Sequence, residues 1–144
     1  MINFSAITAA VKAQLEAELA GKNYLIKRND RRNDNPELAA QYKAWVCVYR
    51  GTIEYEAYTT GSGPWLAKIQ TVVEIQVADM QSSEQADDKL TEAEAEIIAA
   101  IDSDRTLGGS VLITNGYSVE YETNLDTQYY YNAAIVKINS EVRT

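Results

Sequence analysis

The side chains that could carry chemistry are few. The 144 residues contain no histidine. The commonest general base near neutral pH and the commonest metal ligand are therefore absent, and no Ser-His-Asp or Cys-His arrangement can form. The one cysteine, Cys47, sits in an alternating, strand-like run with no imidazole to activate it. That setting suits a buried structural thiol better than a nucleophile. Cys47 cannot form an internal disulfide, which fits folding in a reducing compartment. Carboxylates remain as candidates for Mg²⁺ binding or acid–base work: Asp79, Asp87 and Asp88 before and within one helical stretch, Asp102 and Asp104 at its end. Local rules explain both groups without a site, since acidic residues favour a helix's first turn and short polar residues favour turns. Glu54 and Glu56 share one face of a strand and read as its wet side. Gly61-Ser62-Gly63-Pro64 lacks the Lys and Ser or Thr of a phosphate loop, and Gly108-Gly109 precedes a strand. The expectation is a protein without catalysis, cofactor or metal.

Contact chemistry is better represented. Ten tyrosines are present, and Tyr129, Tyr130 and Tyr131 are consecutive. Tyrosine joins a large apolar body to a polar tip and is enriched at interfaces. Strand alternation turns Tyr130 away from Tyr129 and Tyr131. Either one face of this strand meets another subunit, or an ordinary strand carries a half-exposed tyrosine. Ile53 and Tyr55 lie on the apolar side of a second strand whose other side carries Glu54 and Glu56. Arg31 and Arg32 stand in a basic polar loop, 29–36. That loop is either simply solvated or a docking surface for an acidic partner; without an aromatic platform it is a weak nucleic-acid signal.

The elements that must position these residues follow from periodicity. Ile7, Val11, Leu15 and Leu19 make an i+4 stripe and predict a helix over 4–20, with Ser5 as its cap. Residues 24–28 read as a short strand, and Pro36 can start a short helix through Gln41. Residues 44–58 read as strand in two pieces around Gly51. The longest strand signal is 65–78, with Trp65, Ala67, Ile69, Thr71, Val73, Ile75 and Val77 on the core face. Residues 82–101 form the long central helix, its apolar positions spaced by three and four and Ser82 with Gln85 as a capping box. Asn115-Gly116 marks either a hairpin turn or a bulge within one strand. The last strand is 128–138, apolar on both faces and so central in the sheet or at an interface, followed by a polar tail, 139–144. Helix, strands, helix, strands, with short links and alternating patterns, predicts one α+β domain over 1–144. Its sheet is mostly antiparallel, with an N-terminal helix and one long central helix packed against it.

Charge is uneven. Residues 1–50 hold eight Lys or Arg against five Asp or Glu, a net +3; residues 51–144 hold five against sixteen, a net −11. An acidic surface opposes wrapping of nucleic acid; it suits solubility first, and after that a channel that DNA passes without sticking. No apolar run approaches the roughly 20 residues of a membrane span.

One stretch also has a likeness. Glu94-Ala-Glu-Ile-Ile-Ala-Ala-Ile-Asp-Ser-Asp-Arg-Thr-Leu-Gly-Gly, at 94–109, resembles the helix end of tail terminator, or tail completion, proteins of tailed bacteriophages. In that family a similar helix closes on Asp or Asn, Arg, Thr, Leu and Gly before a strand; here these are Asp104 to Gly109. The N-terminal stripe, the strand ending at Asp79 and the final strand fit the family's layout. The resemblance implies a virion protein at the head–tail junction, made in the host cytoplasm. It would be a homo-oligomer, a hexameric ring, that caps the tail tube and joins it to the head-side connector, with DNA passing through the lumen. A neck or head completion adaptor, or a non-viral interaction domain of the same class, is the alternative. Under the ring reading, the subunit or partner contacts fall to Arg31, Arg32, Ile53, Tyr55, Tyr129, Tyr130 and Tyr131. The strand 128–138 and the arm 53–58 are the candidates for sheet extension between subunits.

Overall fold

The computed structural model describes residues 2–29, 40–56, 66–125 and 130–143. Helix α1 (Phe4–Glu18) is opened by Asn3, whose side chain accepts the Ala6 N–H at 3.0 Å. Asn3 thus takes the capping role that the sequence suggested for Ser5. The stripe Ile7, Val11, Leu15 and Leu19 is buried as its spacing requires. Strands β1 (Tyr24–Arg28), β2 (Ala44–Glu56) and β3 (Leu66–Asp79) follow, then helix α2 (Ser83–Asp102), then β4 (Ile113–Leu125) and β5 (Tyr130–Arg143). The five strands are ordered β1-β2-β3-β5-β4. β1 runs parallel to β2, and every other pairing is antiparallel. This is the expected α+β architecture.

Both helices cover one face of the sheet. Ser82 Oγ accepts the Gln85 N–H at 3.1 Å and starts α2. Upstream, Asp79 Oδ1 accepts the Gln81 N–H at 2.7 Å, and Asp79 Oδ2 lies 3.0 Å from Lys89 Nζ. Leu90, Ala93, Ile97, Ala100 and Ile101 of α2 then pack with Val46, Val48, Val73, Ile75, Val77, Val136 and Ile138 in the main core. Each large aliphatic side chain buried there is worth about 1.5–3 kcal/mol. The small alanines between them let the helix approach the sheet.

Four features depart from, or decide between, the expectations. First, β2 is one strand and not two: its register shifts between Arg50 and Ile53, so Gly51 marks a bulge. A Cβ on Gly51 would stand 2.5 Å from the Gln70 carbonyl oxygen, so the crossing of β3 requires glycine. Second, Asn115-Gly116 is a bulge within β4 and no hairpin turn, with the register shift between Thr114 and Gly116. Third, residues 139–143 are strand and no tail. Asn139 to Arg143 pair with Leu66 to Gln70, and the inside-facing alternation continues through buried Ser140 to Val142. Fourth, the back of the sheet is not simply wet. Val72, Glu74, Gln76 and Ala78, on the face of β3 opposite the helices, are buried too. There Trp45, Cys47 and Ala78 form a second cluster, against which Leu25, Ala40, Tyr49 and Tyr131 pack. Of the proposed helix from Pro36, residues 40–41 are helical and 36–39 lie outside the described residues.

Candidate partner interface

A sheet meets partners through its edges, its ends and its uncovered face. The edges here are β1 and β4. β5 is not an edge: it pairs with β3 along its whole length and with β4 on its other side. The expectation that the stretch 128–138 extends a neighbour's sheet is therefore corrected, because its backbone donors and acceptors are already taken. Only its side chains can reach a partner. The arm is different. Beyond Val48, β2 has no partner on its β1 side among the described residues, so the backbone from Tyr49 to Glu56 has one open flank.

The residues singled out from the sequence fall in two places. Ile53 and Tyr55 stand two apart on one side of the arm, with Tyr55 54% exposed. Leu112 and Ile113, also exposed, lie at the same end of the sheet, since Ile113 pairs with Glu141 and Ile53 with Ile69 beside Ser140. Tyr130 is at the opposite end, paired with Asp79 and Leu125. Ten residues of β5 separate it from Ser140, roughly 30 Å of extended chain. Exposed Met80 is its neighbour through Asp79. Tyr131 points to the back face and is partly buried within the chain's own second cluster. Its phenol is pushed above the usual tyrosine value by burial and then by the Glu74 and Glu122 carboxylates. Arg31, Arg32 and Tyr129 lie outside the described residues.

Other tyrosines do work that the sequence reading did not assign. Three of them, from the two edge strands, clamp α2. Tyr24 of β1 donates to Glu96 Oε2 at 2.9 Å. From β4, Tyr117 donates to Asp102 Oδ1 at 2.5 Å, and Tyr121 to the Glu94 carboxylate at 2.9 Å. Burial first, and the acceptor carboxylate second, raise the phenols of Tyr24 and Tyr117, so both remain neutral donors. Around Glu96 one cation closes the network: Lys43 Nζ lies 2.5 Å from Glu96 and 2.7 Å from Glu92. The Lys43 bond holds the Glu96 carboxyl below its usual range, and the bonds to Glu92 and Glu96 raise the Lys43 ammonium. The tyrosine excess thus serves the helix–sheet join as well as the surface. The signal was available: Glu94, Glu96 and Asp102 lie on α2, while Tyr24 of β1 and Tyr117 and Tyr121 of β4 fall on the apolar side of their strands.

The carboxylates considered for chemistry are dispersed in the same way. Burial works against ionisation of Asp79, but the Gln81 N–H, Lys89 and the Ser82 N–H outweigh it and hold the carboxyl below its usual value. Asp87 and Asp88 are exposed on α2. Asp104 is a turn residue that accepts from the Thr106 N–H, the Thr106 hydroxyl and the Gly108 N–H. Among the described residues no three His, Cys, Asp or Glu side chains converge on a point where a metal ion could sit, and no helix is long and apolar enough to cross a membrane.

The α1–β1 side is concave. An open groove of about 580 Å³ runs between Glu16, Leu19 and Ala20 of the α1 end and Tyr24, Leu25 and Ile26 of β1. A second hollow of about 380 Å³ continues it past Lys12, Ala13, Lys27 and Arg28. Periodicity carries no hint of this groove, because it depends on how α1 sits beside the sheet edge.

No family model and no curated protein matches this chain. Among solved structures, 93% of the chain aligns with 93% of a chain from the virion of a native gene transfer agent particle, at 12% identity and a TM-score of 0.36. At that score the two share too little for a role to be transferred.

Proposed function

We propose that this chain is a structural virion protein, a ring subunit that caps a phage tail tube and joins it to the head-side connector, and that it has no catalytic role. The observation that supports this reading is the stretch 94–109, where α2 closes on the Asp104 to Gly109 turn of the tail terminator likeness. Each residue type there has a physical task. Asp104 collects the N–H groups of Thr106 and Gly108. Leu107 is fully buried at a φ of 50°, and Gly108 and Gly109 follow at φ of 70° and 82°, where glycine is the favoured residue. The Thr114 N–H then donates to the Arg105 carbonyl at 2.8 Å, tying the turn to the start of β4. The layout of an N-terminal helix, an antiparallel sheet and a helix laid across it agrees with the same reading.

In such a ring, adjoining subunits present two different surfaces to one another. The ring's ends would meet tube and connector, with the arm around Ile53 and Tyr55 and the end around Tyr130 as contact points. The net −11 of residues 51–144 would repel DNA in the lumen and let it pass. Arg31 and Arg32 would dock on an acidic partner. The test is native mass by light scattering from about 1 to 100 μM, alone and with purified tail tubes, because ring formation depends on concentration. A closed ring, alone or on tube ends, is the expected result. A monomer at every concentration, with tubes present as well, would refute it.

A further inference from the structure

The sheet has two edges, and they differ in charge and shape. β1 carries Lys27 and Arg28, and the groove beside it opens between α1 and the strand. β4 carries Glu120 and Glu122 on the back face of the sheet and an exposed Tyr121, 61% accessible, on the helix side. Nothing among the described residues pairs with the outer flank of either strand. We infer that β4 of one copy docks on β1 of the next, so that the sheet continues from subunit to subunit. This rests on the ring-subunit reading and names the surface by which copies join.

Alternation supports the match. On β1, Tyr24 and Ile26 face the helices, while Leu25 and Lys27 face the back, as their pairing with Ala44, Val46, Trp45 and Cys47 requires. On β4, Tyr121 faces the helices, and Glu120 and Glu122 face the back, because Tyr121 pairs with Ala134 and Glu122 with Ala133. If two copies share one continuous sheet with their helices on the same side, both sets fall into place together. The exposed ring of Tyr121 arrives at the groove lined by Leu19, Ala20 and Ile26. The two glutamates arrive beside Lys27. Among the described residues neither Lys27 nor Glu122 has an ion-pair partner, whereas Glu120 already holds Lys137 at 3.1 Å. Backbone pairing would supply the affinity, and the Lys27–Glu122 contact the direction. Pairing β1 with a second β1 gathers only Lys27 and Arg28 at the seam, and β4 with β4 only Glu120 and Glu122, so neither like-edge pairing offers opposite charges. The contact is therefore head-to-tail, which is what a closed ring needs.

Charge exchange tests this. Lys27→Glu and Glu122→Lys are both exposed substitutions, and thermal melts will verify that each variant folds. Each alone places like charges at every junction, and should weaken self-association by roughly tenfold or more. Mixed in equal amounts, the two variants can alternate with opposite charges at every junction, and the double variant carries a matched pair of its own. Both samples should recover the wild-type native mass in light scattering. Wild-type rings that ignore both single exchanges, or a mixture that fails to recover, would overturn the edge pairing while leaving the ring reading in place. A wild type that stays monomeric to about 100 μM without tubes overturns the edge pairing as well, and leaves assembly on tube ends to be judged separately.

Discussion

Gln14 is the point where α1 holds the end of α2. Its side-chain Nε2 lies 2.9 Å from the carbonyl oxygens of both Ala100 and Ile101 and 3.2 Å from that of Asp104. An amide nitrogen has two protons, so two hydrogen bonds' worth of interaction is shared among three carbonyls that α2 leaves at its end. Gln14→Ala removes both, at about 1 kcal/mol net each. The carbonyls are not left wholly orphaned, since Ala100 still accepts from the Ser103 hydroxyl at 2.6 Å and Ile101 from the Asp104 N–H at 3.3 Å. The expected loss is therefore about 1–2 kcal/mol, or a fall of roughly 3–8 °C in Tm for a chain of this size. Gln14→Glu is the sharper perturbation. It keeps shape and packing but aims an anion at a fan of carbonyls on the negative end of a helix. It should cost more than the alanine truncation despite being the more conservative change. Thermal melts at neutral pH, read by circular dichroism, give the ranking wild type above Gln14→Ala above Gln14→Glu. A Gln14→Glu protein as stable as the wild type would refute the assignment of these bonds.

The other predictions concern the arm and the dependence on pH. Gly51→Ala brings a Cβ to 2.5 Å from the Gln70 backbone oxygen, and backbone cannot swing aside, so a loss of about 1–3 kcal/mol is expected; amide exchange should be enhanced around Ile53 and Tyr55 first, and an unchanged Tm would count against it. At alkaline pH the phenols of Tyr24, Tyr117, Tyr121 and Tyr131 are all raised from 10.0 in the fold. The unfolded chain therefore loses those protons first, and stability, full below pH 10, falls above it. Tyr117→Phe should flatten that limb in a pH series of melts. At the acid end, Asp79 and Glu96 are held below 3.8 and 4.5, so their contribution is present above those values and disappears as pH falls through the lower folded ones. Asp79→Asn should make the acid limb shallower.

Periodicity served well wherever one period and one face governed a segment. The i+4 stripe of α1 and the three-and-four spacing of α2 were visible because each helix buries one side only. The Ser82 cap was readable for the same local reason. Sequence patterns were silent where a neighbour decides the outcome. Ser140 and Val142 are hidden in a polar stretch by Asn139, Glu141 and Arg143, yet they continue the inside face because β3 runs alongside as far as Leu66. Gly51 and Asn115-Gly116 announce a break but not its kind; a bulge and a turn use the same residues, and only strand pairing tells them apart.

The candidate interface shows the limit most clearly. A strand apolar on both faces, such as 130–138, fits a central strand and a subunit contact equally well, since both bury two faces. What separates them is backbone pairing, which side-chain alternation does not record. β5 turned out to be flanked on both sides, so its tyrosines act through their rings alone: Tyr131 against Trp45's cluster and Tyr130 at the sheet's end. The open backbone belongs instead to the arm of β2, to β1, short and next to a polar loop, and to β4, where Glu120 and Glu122 share one side of the strand. Edges are often guarded by charge against unwanted pairing. Where one edge is guarded by lysine and the other by glutamate, each repels its own kind and accepts the other. The same residues then both prevent aggregation and select a single head-to-tail contact, and the charge exchange at Lys27 and Glu122 separates guarding alone from guarding with selection.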